Sequence, residues 1–197
     1  PDRTVKWTAV RIPPRPQSSR THVFEPSAFH LYFSSGVAPA LRIHPGDTVR
    51  TWSVDAGGRD QKGNRRSPGG NPQTGPFYVE GAMPNDTLVV RLNRVRTNRD
   101  WAQSGSSIMR NALEPGTLDS LKWDPAFNSR WRIDTTRNVA SLESPTAALK
   151  NLAVPLLPML GCVAVAPQGD SAIRTTDSGR FGGNMDYNQI REGTTVY

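Results

Sequence analysis

The sequence predicts a mainly β fold, a β-sandwich-like arrangement with long loops and little helix. Its 197 residues include 17 glycines and 17 prolines, and these residue types favour turns and short strands over long helices. Several segments also alternate apolar and polar residues, which is typical of half-buried strands. The length fits one domain or two small ones.

The first predicted strands lie in the N-terminal quarter of the chain. Residues 4–10 alternate and predict a strand, which a proline-rich connector at 11–20 follows. A short strand is predicted at 28–33. Residues 40–54 read as strand, tight turn and strand, because Pro45-Gly46-Asp47 has the composition of a turn.

Residues 56–76 are a basic segment rich in glycine and proline. They contain six glycines and three prolines, and we expect them to form a long surface loop without core residues. Long ordered loops in compact domains are often functional.

The next segment repeats an earlier pattern. In residues 77–95, Pro84-Asn85-Asp86-Thr87-Leu88 echoes the earlier Pro45-Gly46-Asp47-Thr48-Val49. Two similar hairpin turns explain this echo, and a duplicated half-sandwich is the alternative. Residues 97–140 are the least regular part, with a helical turn predicted at 117–123.

The C-terminal part carries the most apolar stretch, residues 152–166. Pro155 and Pro158 exclude a regular helix there, and we predict a buried strand at 161–166. A polar loop at 168–180 and a glycine-opened turn within 181–193 follow. A last strand begins at residue 194.

The net charge of +7 is localised in two windows. Residues 59–66 contain four basic residues and one acidic, and residues 91–110 contain five basic and one acidic, so the rest of the chain is neutral. Clustered basic charge suits a nucleic-acid binder or a solvated arginine-rich loop. No nucleic-acid-binding motif accompanies it, so we do not expect a nucleic-acid partner. No apolar run is long enough to cross a membrane.

Several chemistries are excluded by what the sequence lacks. Cys162 is the single cysteine, which rules out an internal disulfide and a CxxC zinc site. A blue-copper site needs a histidine after the cysteine, and none follows. Cys162 lies in an apolar segment, where we expect an inert thiol.

Two aspartates stand beside glycines at predicted strand ends. Asp55 precedes Ala56-Gly57-Gly58, and Asp186 follows Gly182-Gly183-Asn184-Met185. Such a carboxylate suits metal ligation or general-base catalysis, because a small ligand can approach the backbone closely. An ordinary turn aspartate is the alternative.

Five blocks of the sequence resemble the acetamidase/formamidase family, in the family's order. Residues 71–88 (NPQTGPFYVEGAMPNDTL) are similar to its TGP-x-YVEGA-x-PGD-x-L stretch, and residues 30–49 to its early histidine segment ending in PGDTV. The other three are VDAGG at 54–58, PMLG with VAP within 158–167, and GGNMD with the final GTTVY within 182–197.

This resemblance implies a β-rich acetamidase/formamidase fold and hydrolysis of small linear amides to a carboxylate and ammonia. It also implies a homo-oligomer and a divalent metal, zinc or calcium. The implied catalytic and metal-binding residues are His30, Asp55 and Asp186. Gly182, Gly183 and Asn184 are the implied substrate and oxyanion residues. Glu80 and Asn71 are second-rank candidates.

Three departures from the family pattern bear on activity. Ser34 stands where the family often has an acidic residue, and Asn71 where it often has histidine. The family's acidic, histidine-bearing segment would lie beyond Tyr197. We therefore interpret residues 1–197 as the N-terminal portion of a single amidase-like domain. A catalytically inactive relative that binds a small molecule or a metal is the alternative.

A mechanism follows as an expectation from this resemblance. Asp55 and Asp186 would bind metal or activate water, His30 would be a ligand or carry a proton, and the Gly182–Asn184 turn would donate to the oxyanion. The chain begins at Pro1, which fits removal of an export leader or a fragment. A periplasmic and a cytoplasmic location both stay open.

Overall fold

The computed structural model describes residues 8–9, 11–105, 113–118 and 128–197. Nearly all regular structure in these residues is strand, as predicted, and helix is limited to two short turns. Most of the predicted strand at 4–10 and most of the predicted helical turn at 117–123 lie outside the described residues. The sandwich arrangement stays a prediction.

The described elements are fifteen strands, one α-helical turn and one 3-10 turn. The strands are β1 (Thr21–Val23), β2 (Tyr32–Phe33), β3 (Leu41–Ile43), β4 (Thr48–Arg50), β5 (Phe77–Val79), β6 (Val90–Arg91), β7 (Trp101–Ser104), β8 (Ser129–Asp134), β9 (Val139–Leu142), β10 (Ala153–Pro155), β11 (Cys162–Ala164), β12 (Ile173–Arg174), β13 (Ser178–Gly179), β14 (Gly182–Asn184) and β15 (Thr195–Val196); the helical turns are α1 (Pro115–Leu118) and the 3-10 turn Ala147–Leu149.

The chain divides into two compact units. Unit 1 comprises Pro1–Arg94 with Leu160–Tyr197, and unit 2 comprises Val95–Met159. Every candidate site residue belongs to unit 1. No helix among the described residues is long and apolar enough to cross a membrane.

Unit 1 is built from small sheets that join distant parts of the chain. Strand β4 pairs in parallel with β1, and β3 pairs in parallel with β5. Antiparallel pairs join β12 to β2 and β15 to β6, and a three-stranded sheet has the order β11-β14-β13. The prediction of hairpin turns is therefore wrong, because β3 and β4 pair with other strands and not with each other. Parallel partners require long crossovers, which a two-residue turn cannot supply.

The two echoing turns nevertheless have the same geometry. In His44–Asp47 the main-chain N–H of His44 donates to the Asp47 carboxylate, and the Asp47 N–H donates to the His44 carbonyl oxygen. Met83 and Asp86 make the same two bonds. The third residue of each turn has a positive φ, 92° at Gly46 and 76° at Asn85, as a type II turn with proline second requires. The repeated sequence thus encodes a repeated turn.

Residues 56–76 are more tightly ordered than a solvated loop. The Arg66 and Ser67 N–H groups donate to the Gly58 carbonyl oxygen, and Asp60 and Ser67 are buried. The Asp60 carboxylate accepts from the main-chain N–H groups of Lys62 and Asn64. The expectation that nothing here packs inside is corrected, because a buried aspartate satisfies the donors of the loop around itself.

The C-terminal segments differ from the prediction in two places. Strand β11 forms as predicted, but its residues are half-buried and not fully buried. The predicted polar loop at 168–180 contains β12 and β13, and the predicted glycine turn is the strand β14. Glycine is typical of turns, so the sequence predicts a turn here. In the structure these glycines serve a different purpose, because the neighbouring strands lie too close for a side chain. A Cβ on Gly183 would collide with the Asp177 carbonyl oxygen, and one on Gly182 would lie 2.5 Å from that of Val163.

The apolar core of unit 1 is small. Among the described residues, the buried hydrophobic side chains are Val54, Leu92 and Ile190. Aromatic pairs supplement them, with Phe24 edge-on to Phe77 and Phe33 tilted on Phe181.

Unit 2 carries one antiparallel sheet of four strands in the order β10-β9-β8-β7. Its pairing register is continuous, with Trp101 opposite Arg132 and Trp131 opposite Leu142. The Trp101 ring lies under the guanidinium groups of Arg99 and Arg130, 3.7 and 5.2 Å from its centroid. Part of the second basic window is therefore stacked on an aromatic ring.

Candidate active site

His30, the early histidine, is joined through its main chain to the 56–76 loop. His30 forms an isolated antiparallel bridge with Gln73, through N–H···O bonds of 3.1 and 2.8 Å. The next residue, Leu31, accepts a hydrogen bond from the Thr175 N–H, which extends the β2–β12 pairing. The half-buried His30 ring has no hydrogen bond or ion pair among the described residues, so it is available for chemistry.

Asn71 stands beside the Asp55 turn. The Asn71 N–H donates to the carbonyl oxygen of Ala56, the residue after Asp55. The Asn71 backbone has a left-handed conformation with φ 58°, which asparagine tolerates better than most residues. Its side-chain amide lies 3.5 Å from the Thr175 carbonyl oxygen.

The Asp55 carboxylate is already engaged in its own turn. Its Oδ1 accepts a 2.8 Å hydrogen bond from the Arg59 N–H, while the Asp55 N–H donates to the Arg59 carbonyl oxygen. These bonds close the residue 55–59 turn, in the manner of an ordinary turn aspartate.

Strand β14 lies between β11 and β13, so its main-chain groups form hydrogen bonds within the sheet. The Asn184 N–H donates to the Asp177 carbonyl oxygen, and Gly182 and Gly183 pair with β11 on one side and β13 on the other. A central strand uses its amides on both edges, so the turn expected to donate to an oxyanion is absent. The Asn184 side chain donates one hydrogen bond, to the Thr176 carbonyl oxygen at 3.2 Å, and an amide nitrogen carries two hydrogens.

Asp186 follows this strand and is exposed. Its N–H donates to the Gly161 carbonyl oxygen, and its backbone is left-handed with φ 44°. No described residue makes a hydrogen bond or an ion pair with its carboxylate. Burial, and secondarily the charge of Asp186, raises the pKa of the neighbouring Cys162 thiol to about 11. This supports the prediction of an inert thiol, because the nucleophile is the thiolate.

Glu80 makes an ion pair instead of facing the other candidates. Its carboxylate accepts from Arg42 Nε at 2.6 Å and from Arg42 Nη2 at 3.3 Å, and the Arg42 guanidinium lies over the Tyr78 ring. The hydrogen bond from Arg42 holds the pKa of Glu80 below its usual value, against the opposing effect of burial. This geometry is that of a structural ion pair across β3 and β5.

The two positions that depart from the family pattern make local bonds. Ser34 Oγ accepts from the Gly36 N–H at 3.1 Å, and the Asn71 amide is directed to Thr175. The described residues contain no group of three or more histidine, cysteine or acidic side chains close enough to hold a metal ion. The described residues thus do not by themselves bring together three such ligands for zinc or calcium, and the divalent metal stays a prediction.

Sequence reasoning missed Thr175, where several of these segments meet. Thr175 is fully buried, although it lies in a segment that composition marks as a polar loop. The only signal in that segment was Ile173, and one apolar residue is not enough to predict the strand β12.

A separate cleft of about 270 Å³ is lined by none of the candidate residues. It is lined by the connector residues 15–19 and by His44, Pro45 and Asp47. Asp47 is engaged there by His22 Nε2 at 2.8 Å and by two main-chain N–H groups. We place the candidate site in the His30–Asp186 region and not in this cleft, because the Asp47 carboxylate already accepts three hydrogen bonds.

Comparisons with known proteins identify the fold. No family model matches the sequence, and no curated protein matches it. Similar solved structures are an acetamidase from Yersinia enterocolitica (TM-score 0.70, 21% identity), a predicted acetamidase/formamidase from Thermoanaerobacter tengcongensis (0.67, 22%) and an acetamidase from Bacillus halodurans (0.64, 22%).

The chain has the fold of these acetamidases, and the resemblance seen in the sequence is confirmed at that level. The matches cover 91%, 90% and 89% of this chain and 56%, 55% and 56% of those chains, in the same order. The chain thus spans a little over half the length of the solved structures it matches.

Proposed function

We propose that the protein hydrolyses small linear amides of the formamide and acetamide class, releasing a carboxylate and ammonia. The observation that supports this most is the meeting of the family-like segments in unit 1. The Gln73 main chain bridges His30, Asn71 contacts the Asp55 turn, and β14 brings Asn184 and Asp186 beside β11. A fold shared with acetamidases, in which the segments that carry the candidate residues also meet, favours an amidase site.

Amide hydrolysis needs a base for water, donors for the oxyanion and a proton for the leaving nitrogen. We assign Asp186 as the base, because its carboxylate is exposed and makes no hydrogen bond among the described residues. Asp55 is the less direct choice, since its Oδ1 already accepts the Arg59 N–H. We therefore assign Asp55 a structural role, in which its turn shapes the site.

The oxyanion donor is proposed to be a side chain and not the main chain. The Asn184 amide uses one hydrogen for the Thr176 carbonyl oxygen, and its second hydrogen is left for a substrate oxygen. Gly182 and Gly183 contribute by letting β14 lie close to both neighbouring strands. The orientation of Asn184 is therefore set by the sheet.

His30 is proposed to deliver the proton to the departing amine. Its ring is half-buried and makes no hydrogen bond or ion pair among the described residues, and its main chain is fixed on Gln73. Histidine is the side chain that exchanges protons most readily near neutral pH. Water attack assisted by Asp186 would form the tetrahedral intermediate, and protonation by His30 would release ammonia.

The test is ammonia release from formamide and acetamide by the purified protein. We expect turnover that saturates with amide concentration and that Asp186→Asn lowers about 100-fold or more, the contribution typical of a general base. Asp170→Asn is the matched control, because Asp170 is likewise an exposed aspartate of unit 1. An Asp186→Asn variant that folds and turns over like the wild type would remove Asp186 from the mechanism.

A binding protein that has lost catalysis is the second candidate. The bonds of Ser34 to Gly36 and of Asn71 to Thr175 favour it, because these two positions offer no free acid or imidazole. Calorimetric titration with acetamide, with metal analysis of the same sample, separates the two functions. Binding of acetamide or a tightly held divalent ion, with no ammonia release, would establish the binding protein.

A further inference from the structure

Thr175 uses both its side chain and its main chain to bind three separate segments of unit 1. Its hydroxyl donates to the Gly70 carbonyl oxygen at 2.7 Å, and its N–H donates to the Leu31 carbonyl oxygen at 3.1 Å. Its own carbonyl oxygen lies 3.5 Å from both Asn71 Nδ2 and Cys162 Sγ. The residue is fully buried, so none of these groups can exchange its partner for water.

Each of these bonds ends next to a candidate site residue. Leu31 follows His30, Gly70 precedes Asn71, and Cys162 lies opposite Asn184 in the β11–β14 register. Thr176, the following residue, accepts the Asn184 side-chain amide. The orientation of the proposed oxyanion donor and the position of the proposed acid thus depend on the same short segment.

The hydrogen bond from the Thr175 hydroxyl stabilises a strained stretch of backbone at Gly70 and Asn71. Gly70 and Asn71 both have positive φ, 111° and 58°, and a non-glycine residue in that region carries conformational strain. The Thr175 hydroxyl binds the carbonyl oxygen between these two residues. Valine has nearly the shape of threonine but cannot donate this bond, so the hydroxyl itself is what the position requires.

We propose that Thr175 is the positioning residue of the amidase site: it fixes the Gly70–Asn71 backbone and the β12 segment so that His30 and Asn184 face one substrate. This inference rests on the proposed function. Thr175 is too buried to touch an amide, so it acts through the residues it holds.

Thr175→Val, Thr175→Ser and Ser171→Ala test the proposal in the full-length protein. Displacement of reacting groups lowers the chemical step steeply, so Thr175→Val is expected to lower kcat about tenfold or more, with KM changed less than about threefold. Thr175→Ser keeps the hydroxyl and should restore kcat to within about threefold of the wild type. Ser171→Ala is the matched control, because it removes the hydroxyl of an exposed residue in the loop that precedes β12.

Two kinetic results would overturn the proposal. One is a folded Thr175→Val variant with wild-type kcat. The other is a Thr175→Ser variant that loses as much kcat as the valine variant, since the hydroxyl would then be irrelevant. The serine result decides the matter even where the valine variant does not fold.

A second measurement needs no turnover. The Cys162 thiol donates to the Thr175 carbonyl oxygen, so its labelling rate with an aromatic disulfide reagent reports the position of this segment. We expect Thr175→Val to label about threefold faster or more, and Thr175→Ser and Ser171→Ala to match the wild type. Faster labelling in a protein that releases no ammonia would uphold the positioning and refute the amidase function. Equal labelling in all variants would refute the positioning.

Discussion

Carboxylates that collect main-chain hydrogen bonds are the residues that hold the turns of unit 1. Asp47 accepts from the Arg20 and His44 N–H groups and from His22 Nε2, and its side chain is 1% exposed. These bonds, led by the one from His22, hold the pKa of Asp47 far below its usual value. Asp60 repeats the pattern in the 56–76 loop, where the bonds from Asn64, Lys62 and Arg66 outweigh burial and lower its pKa.

These lowered pKa values predict loss of stability in acid. A carboxyl whose pKa is lower in the folded than in the unfolded chain stabilises the fold above its unfolded pKa of about 4. That stability is lost as the pH falls through the folded pKa. We therefore expect the urea midpoint to fall steadily below about pH 5, and chemical denaturation between pH 3 and pH 7 measures this.

Asp47→Asn tests the same effect at one residue. The variant should be less stable than the wild type at pH 7 and should lose part of the acid dependence, because the amide does not titrate. Asp170 is exposed, and Asp170→Asn is the control, for which we expect wild-type behaviour. Equal urea midpoints for Asp47→Asn and the wild type at pH 7 would show that the Asp47 network contributes nothing.

At the scale of elements, β14 shows why glycines stand in the GGNMD block. Gly183 has φ 106°, and a Cβ there would meet the main chain of Asp177 and Ser178. Gly193 also has a positive φ, 85°, but an added Cβ would meet nothing within 4 Å. Substitutions at Gly183 and Gly193 can therefore distinguish the cost of backbone strain from the cost of steric collision.

Gly183→Ala is predicted to cost much more stability than Gly193→Ala. The alanine at 193 carries only the left-handed backbone penalty, about 1 kcal/mol. The alanine at 183 must also push β13 away, and we expect a loss of about 3 kcal/mol or more. Urea unfolding of both variants measures the difference, and similar losses would show that β14 has room for a side chain.

The sequence predicted local geometry far better than strand pairing. It located both Pro-x-Asp turns, because turn chemistry is contained in four neighbouring residues. It could not show that β3 pairs with β5 and β4 with β1, since these partners lie tens of residues away. It named His30, Asn184 and Asp186 through their resemblance to a family, and it missed Thr175 because a buried threonine in a polar segment has no local signature.

At the scale of the whole molecule, several large apolar side chains of the described residues are exposed and the sheets of unit 1 are small. Leu88 is 37% and Val89 is 58% exposed, and both lie next to β6 of the two-stranded β6–β15 sheet. Two-stranded sheets are marginally stable by themselves, and exposed apolar surface marks contact with other polypeptide. We propose that this surface is covered by subunit contacts in a homo-oligomer.

Sedimentation equilibrium tests this proposal. We expect a mass that is a multiple of the 21.6 kDa chain, and we expect Val89→Glu to shift the protein toward the monomer. Thr87→Glu is the control, because Thr87 is exposed on the same stretch and is already polar. A monomer at every concentration in the wild type would contradict the proposal.

The measurement that tests the central claim most directly is ammonia release from acetamide by the wild type, Asp186→Asn and Asp170→Asn side by side. If the His30–Asn184–Asp186 region is an amidase site, the wild type and Asp170→Asn release ammonia at equal rates and Asp186→Asn is at least about 100-fold slower. No release by the folded wild type, or equal release by all three proteins, would contradict it.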